Sequence, residues 1–350
     1  MNGMANGVSV RALDDGREAE WDAYVQQAPG ATFFHRAGWR RVLADAFGHK
    51  SHYLIAERGN RICGVLPLIH VKSRLFSNGL ISGAFGVYGG PVADGDEARD
   101  ALNRRAEALL EECGADFLEY RSVERTRPDW QVKDDLYVTF RRGIAEDPDE
   151  NLKAIPRKQR AVVRKAIKAG ELSPTIDGDQ QRLHRVYSES VRNLGTPVFS
   201  SRYFRLLLEV FGDDAEVLTV EDRQGQAVAS VLSFYFRDQV LPFYGGGVAG
   251  ARSLGGNDFL YWCVMDRARE RGLRLFDFGR SKRGTGSFAF KKHWGFEPEP
   301  LYYEFLTRPG REVPDVNPLN PKYALFIATW KRLPLPIANA LGPIVSRNLG

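Results

Sequence analysis

The sequence predicts an α/β protein made of two diverged copies of one domain, each a mixed, mostly antiparallel sheet with helices on both faces. Three observations lead to this fold class. Blocks of similar sequence recur in the same order at offsets of 156 to 165 residues, which indicates a tandem duplication. Each copy contains a strand, a tight polar turn and a second strand. In each copy a periodic helix then precedes a further strand, an order typical of layered α/β domains.

The matched blocks predict the same order of helices and strands in both copies. Helices open both copies, a strand–turn–strand segment follows, and a further strand is expected to end at a Tyr-Gly-Gly sequence. The next helix stops at Gly114 in the first copy and at Gly272 in the second, as expected for a glycine C-cap. Glu119 and Asp277 occupy equivalent positions in the strands that come next. The paired ranges are 34–48 with 199–212, 55–68 with 219–234, 88–90 with 244–246, 98–114 with 257–272, 115–122 with 273–281, and 130–140 with 294–305.

Length and composition agree with two domains. The chain has 350 residues, of which 43% are hydrophobic and 27% charged, enough for two separate cores. We expect a first domain at 1–143, a second domain at 144–310 with a basic helix at 156–170, and a Pro-rich apolar tail at 311–350.

Several classes of protein are disfavoured. Cys63, Cys113 and Cys263 are far apart and form no CxxC pair, so the spacing indicates neither a disulfide framework nor a zinc site, and no metal is expected. Cys113 and Cys263 fall in apolar helical stretches and are expected in the core. The N-terminus lacks the pattern of a secretory signal, and no run of about eighteen apolar residues occurs. We therefore expect a cytoplasmic protein.

A net charge of +5 fits an anionic partner without choosing among substrate, tRNA and membrane surface.

The second copy carries a family resemblance. Its strand–turn–strand, Tyr-Gly-Gly, helix and acid-aromatic-Gly strand resemble a GNAT-type N-acyltransferase. Two such units joined by the basic helix 157–170, with the segment 276–303 and its FKKHWGF core, resemble the FemAB family. The characterised members of that family are aminoacyltransferases that extend peptidoglycan precursor peptides from aminoacyl-tRNA. The tail at 317–350 resembles a FemAB-related subgroup associated with exosortase/PEP-CTERM systems and exopolysaccharide loci.

The resemblance implies an N-acyltransferase that modifies an amine on a cell-envelope or exopolysaccharide precursor. It leaves the acyl donor open between aminoacyl-tRNA and acyl-CoA. The long coiled-coil arm of tRNA-using members has no room here beyond residues 151–170. An acetyl-CoA loop reads [RQ]xxGx[GA], and the nearest match ends in asparagine instead. That candidate cofactor-binding loop consists of Arg252, Gly255, Gly256 and Asn257.

Asp277 and Lys291 are the candidate catalytic residues. Asp277 ends a strand between Phe276 and Phe278, and a partly desolvated carboxylate there suits a general base. The alternatives are an ion pair with Arg280 and the capping of a turn. Lys291 matches the family's FK position, which implies that it neutralises charge on a phosphate or on the tetrahedral intermediate.

The candidate substrate-binding residues are mostly basic. A Gly-rich loop at 279–287 supplies cations that suit phosphate or carboxylate, although an exposed basic turn is the alternative. Arg160 and Arg164 belong to a cationic stripe on the helix at 156–170, for which a solvated helix face is the alternative. An aromatic beside exposed strand backbone and a tryptophan in the FKKHWGF segment complete the set. These further candidates are Arg280, Lys282, Arg283, Tyr244 and Trp294.

Two other functions stay open. One is an acetyl-CoA-dependent N-acetyltransferase acting on an amino-sugar nucleotide. The other is a non-catalytic protein that binds exopolysaccharide precursors. The expected partners are an anionic diphosphate or lipid-linked precursor and tRNA. The apolar tail, with Trp330 beside Lys331 and Arg332, is a candidate either for packing on the body or for peripheral contact with the inner face of the membrane.

Overall fold

A computed structural model of the chain describes residues 7–73, 78–313 and 323–349. The described residues form two compact units. Unit 1 comprises 7–73, 78–135, 301–313 and 348–349, and unit 2 comprises 136–300 and 323–347. The α/β class with mixed sheets, predicted from the order of the sequence blocks, is confirmed.

The strands of unit 1 form a four-stranded sheet and a six-stranded sheet. Before residue 136 they are β1 (Val8–Ala12), β2 (Lys50–Ser51), β3 (Leu54–Arg58), β4 (Arg61–Leu66), β5 (Leu68–Lys72), β6 (Asn78–Ser82), β7 (Val92–Ala93), β8 (Phe117–Ser122) and β9 (Gln131–Lys133). The strands of unit 2 are β10 (Tyr137–Gly143), β11 (Ser173–Ile176), β12 (Ala215–Glu221), β13 (Ala227–Phe236), β14 (Gln239–Gly247), β15 (Leu275–Asp277), β16 (Ser281–Lys282) and β17 (Pro298–Pro300). The last strand, β18 (Tyr302–Thr307), belongs to unit 1.

Helices cover the sheets. Unit 1 contains α1 (Glu18–Gln27), α2 (Gly38–Phe47), α3 (Asp96–Glu112) and a 3₁₀ turn at Phe33–His35. Unit 2 contains α4 (Pro148–Ala154), α5 (Arg157–Ala169), α6 (Gln180–Leu194), α7 (Ser201–Phe211), α8 (Ala251–Leu254), α9 (Gly256–Glu270), α10 (Gly286–His293), α11 (Ala324–Arg332), α12 (Leu335–Ser346) and a 3₁₀ turn at Gly212–Asp214. In the part of the chain that is described, no helix combines the length and apolar character needed to cross a bilayer.

In unit 1 the chain passes from one sheet to the other at Pro67. The smaller sheet has the order β1-β3-β4-β7, and the larger has the order β2-β5-β6-β8-β18-β9. Pro67 separates β4 from β5, and proline has no N–H to donate to a ladder. One sequence-predicted strand is therefore divided between two sheets.

In unit 2 eight strands form one sheet, with the order β11-β12-β13-β14-β15-β10-β16 and β17 beside β10. Its ladders are antiparallel except for that between β14 and β15. That parallel ladder joins Gln239 to Leu275 and Val240 to Phe276, and β14 then continues to Gly247. The two strands therefore separate after a short paired stretch.

The structure distributes the last strand of each repeat differently from the expected boundaries at 1–143 and 144–310. Strand β10, placed by sequence at the end of the first domain, pairs with β15, β16 and β17 in unit 2. Strand β18, expected in the second domain, pairs with β8 and β9 in unit 1. Similar sequences identified both strands, but strand identity does not determine which sheet completes its ladder.

One local prediction needs correction. In the first copy the strand ends at Ser82, and Tyr88 lies in the loop that follows. Cys113, at the end of α3, and Cys263, in α9, are partly buried, and each packs against the core of its unit. On the basic helix, Val163 is buried and Ile167 is 46% exposed. The glycine caps are confirmed, because Gly114 and Gly272 both have positive φ.

Candidate functional site

The candidate site lies in unit 2, where β15 ends and β14 has separated from it. Asp277 is the last residue of β15 and is 1% exposed. Its Oδ1 accepts hydrogen bonds from the Thr139 hydroxyl at 3.1 Å and from the Gly279 N–H at 2.7 Å. The carboxylate thus connects strand β10 to the turn after β15 and fixes the direction in which the basic loop leaves the sheet.

Lys291 holds the same turn from α10. Its buried Nζ donates to the carbonyl oxygens of Phe278 at 2.7 Å, Gly279 at 2.9 Å and Arg280 at 3.2 Å. Burial lowers the pKa of Lys291 to about 7, while the negative charge of Asp277 opposes that shift. The sequence prediction assigned Lys291 to charge on a ligand. In the structure its Nζ donates to three backbone carbonyls and so holds the loop, while its predicted role toward a ligand stays a prediction.

Arg280 and Lys282 both make cation–π contacts with the ring of Tyr137. The Arg280 guanidinium carbon is 5.0 Å from the ring centroid of Tyr137, and Lys282 Nζ is 5.3 Å from it. Arg280 is exposed, and its positive charge acts on Tyr244, where it favours ionisation of the phenol. Arg283 is also exposed, and its backbone N–H donates to Leu136 at 3.0 Å. The loop therefore presents two cations at the Tyr137 ring, and the charge of Arg280 acts on the phenol of Tyr244 in β14.

Tyr244 belongs to a packed aromatic cluster. Its hydroxyl lies 2.8 Å from the Tyr203 hydroxyl, and burial raises its pKa well above the ordinary value, so the phenol keeps its proton at neutral pH. The rings of the cluster belong to Tyr187, Phe199, Tyr203, Phe204, Phe243 and Tyr244. A register shift in the β13–β14 ladder occurs at the same place, opposite Leu232 and Ser233.

Trp294 is a core residue. It is fully buried, and its indole N–H donates to Asp258 Oδ1 at 2.8 Å. The Gln159 side-chain amide donates to the same oxygen at 2.6 Å. Trp294 therefore fixes α10 against α9 and α5, and its expected contact with substrate stays a prediction.

Close packing requires glycine at two positions of the candidate cofactor loop. Gly255 has φ +68°, and a Cβ there would lie 2.9 Å from Val162 Cγ1. A Cβ on Gly256 would lie 2.7 Å from Val228 Cγ1. Arg252 is exposed and Asn257 is half-buried in the same loop. The loop thus packs on the basic helix α5 and leads directly into α9.

Helix α5 carries its cations outward, as predicted. Arg164 is exposed, and Arg160 is partly exposed with its guanidinium donating to the Lys153 carbonyl at 2.9 Å. Val162, between these two arginines in sequence, is the residue that approaches Gly255. The contact brings the cationic helix and the candidate cofactor loop together.

Three contributors escaped the sequence prediction. Thr139 and Tyr137 lie in β10, which was assigned to the other domain, so no pattern linked them to Asp277. Tyr203 was visible only as a position in a repeated helix, although its hydroxyl now pairs with Tyr244. In the sequence, the only sign of a role for Tyr203 was its position on the buried face of a predicted helix. Core packing explains a tyrosine at such a position equally well.

Comparisons with known proteins agree with the fold. Residues 157–292 match the family model described as acetyltransferase (GNAT) domain. Among solved structures, FemX is 16% identical with a TM-score of 0.68, covering 86% of this chain and 98% of its own. The C-terminal domain of a putative lysylphosphatidylglycerol synthetase from Agrobacterium fabrum is 15% identical with a TM-score of 0.54, covering 82% and 91%.

A tandem GNAT protein from the clavulanic acid biosynthesis pathway is also similar, at 14% identity and a TM-score of 0.53, with 86% of this chain and 98% of that chain covered. No curated protein sequence matches significantly. The chain therefore has a GNAT-like α/β fold, and its match to the acetyltransferase (GNAT) family model lies within residues 157–292.

Proposed function

We propose that the chain is an N-acyltransferase that transfers an acyl or aminoacyl group to an amine on a cell-envelope or exopolysaccharide precursor. One observation carries the proposal: within a GNAT-type domain, β14 leaves β15 just before Asp277. Strand separation gives an extended donor group access to backbone edges that a continuous ladder would have covered. The cations of the loop at 279–287 border this opening.

The reaction needs no covalent enzyme intermediate. The unprotonated amine attacks the carbonyl carbon of the donor, a C–N bond forms, and the C–S or C–O bond to the leaving group breaks. Negative charge develops on the carbonyl oxygen in between, where preorganised donors and cations lower the barrier. Arg280 is the side chain that suits this task, because it is exposed while Lys291 is committed to three carbonyls.

Asp277 supports the reaction in two ways in this proposal. Its charge favours the cationic form of Lys291, and its hydrogen bond to Gly279 orients the loop that carries Arg280. The amine proton leaves through water, with Asp277 as the anionic group that favours its departure. Because the carboxylate is buried, the geometry supports orientation more strongly than direct proton abstraction.

An aminoacyl-tRNA donor is supported by the cationic face of α5. Arg157, Arg160, Arg164 and Lys168 recur on one stripe, and the helix contains no acidic residue. Contacts of this kind with a nucleic-acid backbone weaken steeply with salt. The fold resembles that of FemX, which is compatible with this donor, and the resemblance concerns the fold alone.

An acetyl-CoA donor is the second candidate. The acetyltransferase (GNAT) family model covers the loop at 252–257, which begins the fifteen-residue helix α9. Backbone N–H groups at a helix start favour phosphate, and Arg252 adds an exposed positive charge. In that case the acceptor would be an amino-sugar nucleotide.

The acceptor class also supports a peripheral membrane contact through α12. The small face of this helix, Ala338, Gly342 and Ser346, packs inward, and Ser346 donates to the Val198 carbonyl at 3.1 Å. Ile337 and Leu341 are exposed on another face, and Leu335–Ser346 contains no charged residue. An uncharged helix followed by Arg347 fits the interface of a bilayer that contains anionic lipid.

Vesicle binding checks this contact. Leu341→Glu is expected to reduce co-sedimentation with phosphatidylglycerol-containing vesicles at least several-fold, because it places a charge on the exposed apolar face. Ile176→Glu, at the same 44% exposure on β11, serves as the matched control and is expected to bind like wild type. Equal binding by both variants would remove the membrane contact from the proposal.

Donor choice is tested by incubating the purified chain with an amine acceptor and either acetyl-CoA or aminoacyl-tRNA, with the product followed by mass. The reversal variant Arg164→Glu is expected to lower transfer from aminoacyl-tRNA and leave acetyl-CoA use unchanged. Arg252→Glu is expected to do the reverse. If the chain binds a diphosphate-sugar tightly but transfers from neither donor, the non-catalytic alternative replaces this proposal.

A further inference from the structure

Three potential metal ligands converge in unit 1, whereas the proposed reaction uses residues of unit 2. His52 follows β2, His70 lies in β5, and Cys113 follows α3. One ligand atom from each side chain lies within 4.8 Å of the other two. From this juxtaposition we propose that His52, His70 and Cys113 bind a zinc ion, with the fourth coordination position open to water.

One pair has the separation that zinc requires. His52 Nε2 lies 3.6 Å from Cys113 Sγ. Zinc–nitrogen and zinc–sulfur bonds of about 2.0–2.1 Å and 2.3 Å place two such ligands roughly 3.5 Å apart on a tetrahedron. The ligand atom of His70 lies within 4.8 Å of both, so a shift of about 1.5 Å at most brings it to the same geometry. A side-chain rotation supplies a movement of this size.

The backbone fixes where these side chains begin. The His52 N–H donates to the Leu68 carbonyl at 2.7 Å, and Lys50 is the ladder partner of His70. The Cys113 N–H donates to the Leu109 carbonyl at 2.9 Å. Because each ligand side chain projects from a backbone segment that is already hydrogen-bonded, metal binding needs little further ordering of the backbone.

Asn78 orients His70 from the neighbouring strand. Its side-chain Nδ2 donates to the Gly114 carbonyl at 2.8 Å, and this acceptor determines the direction of the amide. Its Oδ1 lies 2.8 Å from His70 Nε2 and therefore accepts a hydrogen bond from Nε2–H. This tautomer leaves Nδ1 as the nitrogen that can bind a metal. A carbonyl that holds the second ring nitrogen is the usual outer partner of a metal-binding histidine.

The ligand set suits zinc in particular. On binding, the S–H bond breaks, the S–Zn bond forms and the proton passes to solvent, so affinity rises with pH. Two imidazoles and one thiolate select zinc over magnesium or calcium.

The nearby charges do not block the site. Arg105 donates to both carboxylate oxygens of Glu112, at 2.6 and 3.1 Å, so the carboxylate offsets the positive charge of Arg105. Lys50 is exposed, so solvent screens it. All three ligand side chains are partly exposed, which leaves a path for the ion and for a water at the fourth position.

Cobalt substitution tests the site directly. The full chain, stripped with chelator and kept reduced, is titrated with Co²⁺ and followed by the charge-transfer absorption of a cobalt–thiolate bond, then with Zn²⁺ as a competitor. The wild type is expected to give this absorption at one equivalent and to lose it to zinc. Cys113→Ser removes it, and Asn78→Ala weakens binding by about ten- to a hundredfold.

Cys263→Ser is the matched control, because it removes another partly buried thiol, in unit 2, and is expected to keep the cobalt absorption. Two results would overturn the site: no cobalt–thiolate absorption in the folded wild type, or an absorption that persists in Cys113→Ser. Circular dichroism of each variant establishes that a lost signal reflects lost ligands and not an unfolded chain.

Discussion

Lys291 lies buried in unit 2, and its ammonium group is held by three carbonyls of the turn at 278–280. Below pH 7 this lysine is charged in both the folded and the unfolded chain, and the folded chain bears the desolvation cost. Between its folded pKa of about 7 and the ordinary 10.5, the unfolded chain binds a proton that the folded chain has released. Stability contributed by Lys291 therefore rises with pH across that window.

Lys291→Met should expose this dependence. The neutral amine that the folded chain carries above pH 7 still donates two N–H groups to these carbonyls, and methionine donates none. The variant is therefore expected to be less stable by roughly 2 kcal/mol at the alkaline end of the window. The difference should shrink toward pH 7, as chemical denaturation at several pH values would measure. Lys292→Met alters the exposed neighbour and is expected to change little at any pH. Identical pH profiles for the two variants would contradict the buried clamp.

Single-residue chemistry was only partly accessible from sequence. The acid-aromatic-Gly pattern located Asp277 at a strand end, because alternation and the following glycine identify such an end without tertiary information. The partners of Lys291 are backbone carbonyls, whose direction depends on the turn conformation and leaves no trace in residue types. For the same reason Trp294 looked like a pocket wall, although its N–H is satisfied by Asp258 inside the core.

At the scale of elements, the junction of α8 and α9 shows a glycine required by packing. Gly255 combines φ +68° with close contact to Val162 on α5, whereas Gly250 has φ −73° and open space around a Cβ. Gly255→Ala is expected to lower the free energy of unfolding by about 2 kcal/mol, from backbone strain and the close contact. Gly250→Ala should stay within about 0.5 kcal/mol of wild type.

Thermal unfolding of the two alanine variants measures this difference, and Val162→Ala should recover part of the loss in the Gly255→Ala background. Equal stabilities would mean that the junction is not packed as described. A variant of Gly255 changes the stability of the fold as well as any affinity for a cofactor. Arg252 is therefore the better position to alter in a test of cofactor binding.

Helix bounds were predictable where capping residues mark them. The basic helix was expected at 156–170 and runs from Arg157 to Ala169, between Pro156 and the left-handed Gly170. The strand before Tyr88 was not predictable in this way, since Tyr-Gly-Gly is compatible with both a strand end and a loop. The zinc ligands are a similar case, because they come from three elements with no common spacing.

At the scale of the whole molecule, the duplication was readable but the exchange of terminal strands was not. Each repeat ends in a similar strand, and similarity gives no information on which sheet pairs with it. Strand β18 covers β8, whose residues Phe117–Arg121 are all buried. A fragment that stops at residue 143 therefore carries β10 without the rest of its sheet and exposes the edge of β8.

Fragments test this exchange. Residues 1–143 are expected to aggregate or stay unfolded, whereas residues 1–135 joined by a Gly/Ser linker to 301–313 are expected to fold cooperatively, as followed by circular dichroism on heating. The two fragments are of nearly equal length, so size does not explain a difference. Cooperative folding of 1–143 alone would contradict the assignment of β18 to unit 1.

Comparison of Asp277→Asn with Glu119→Gln measures whether acyl transfer depends on the second unit. Glu119 is the equivalent acid of the first repeat and is buried in an ion pair with Arg121 at 2.6 Å. With the donor that the wild type uses, the rate of acylated product per folded molecule is measured by mass. We expect at least a tenfold loss for Asp277→Asn and wild-type transfer for Glu119→Gln. Full transfer by folded Asp277→Asn would show that this acid has no part in the reaction.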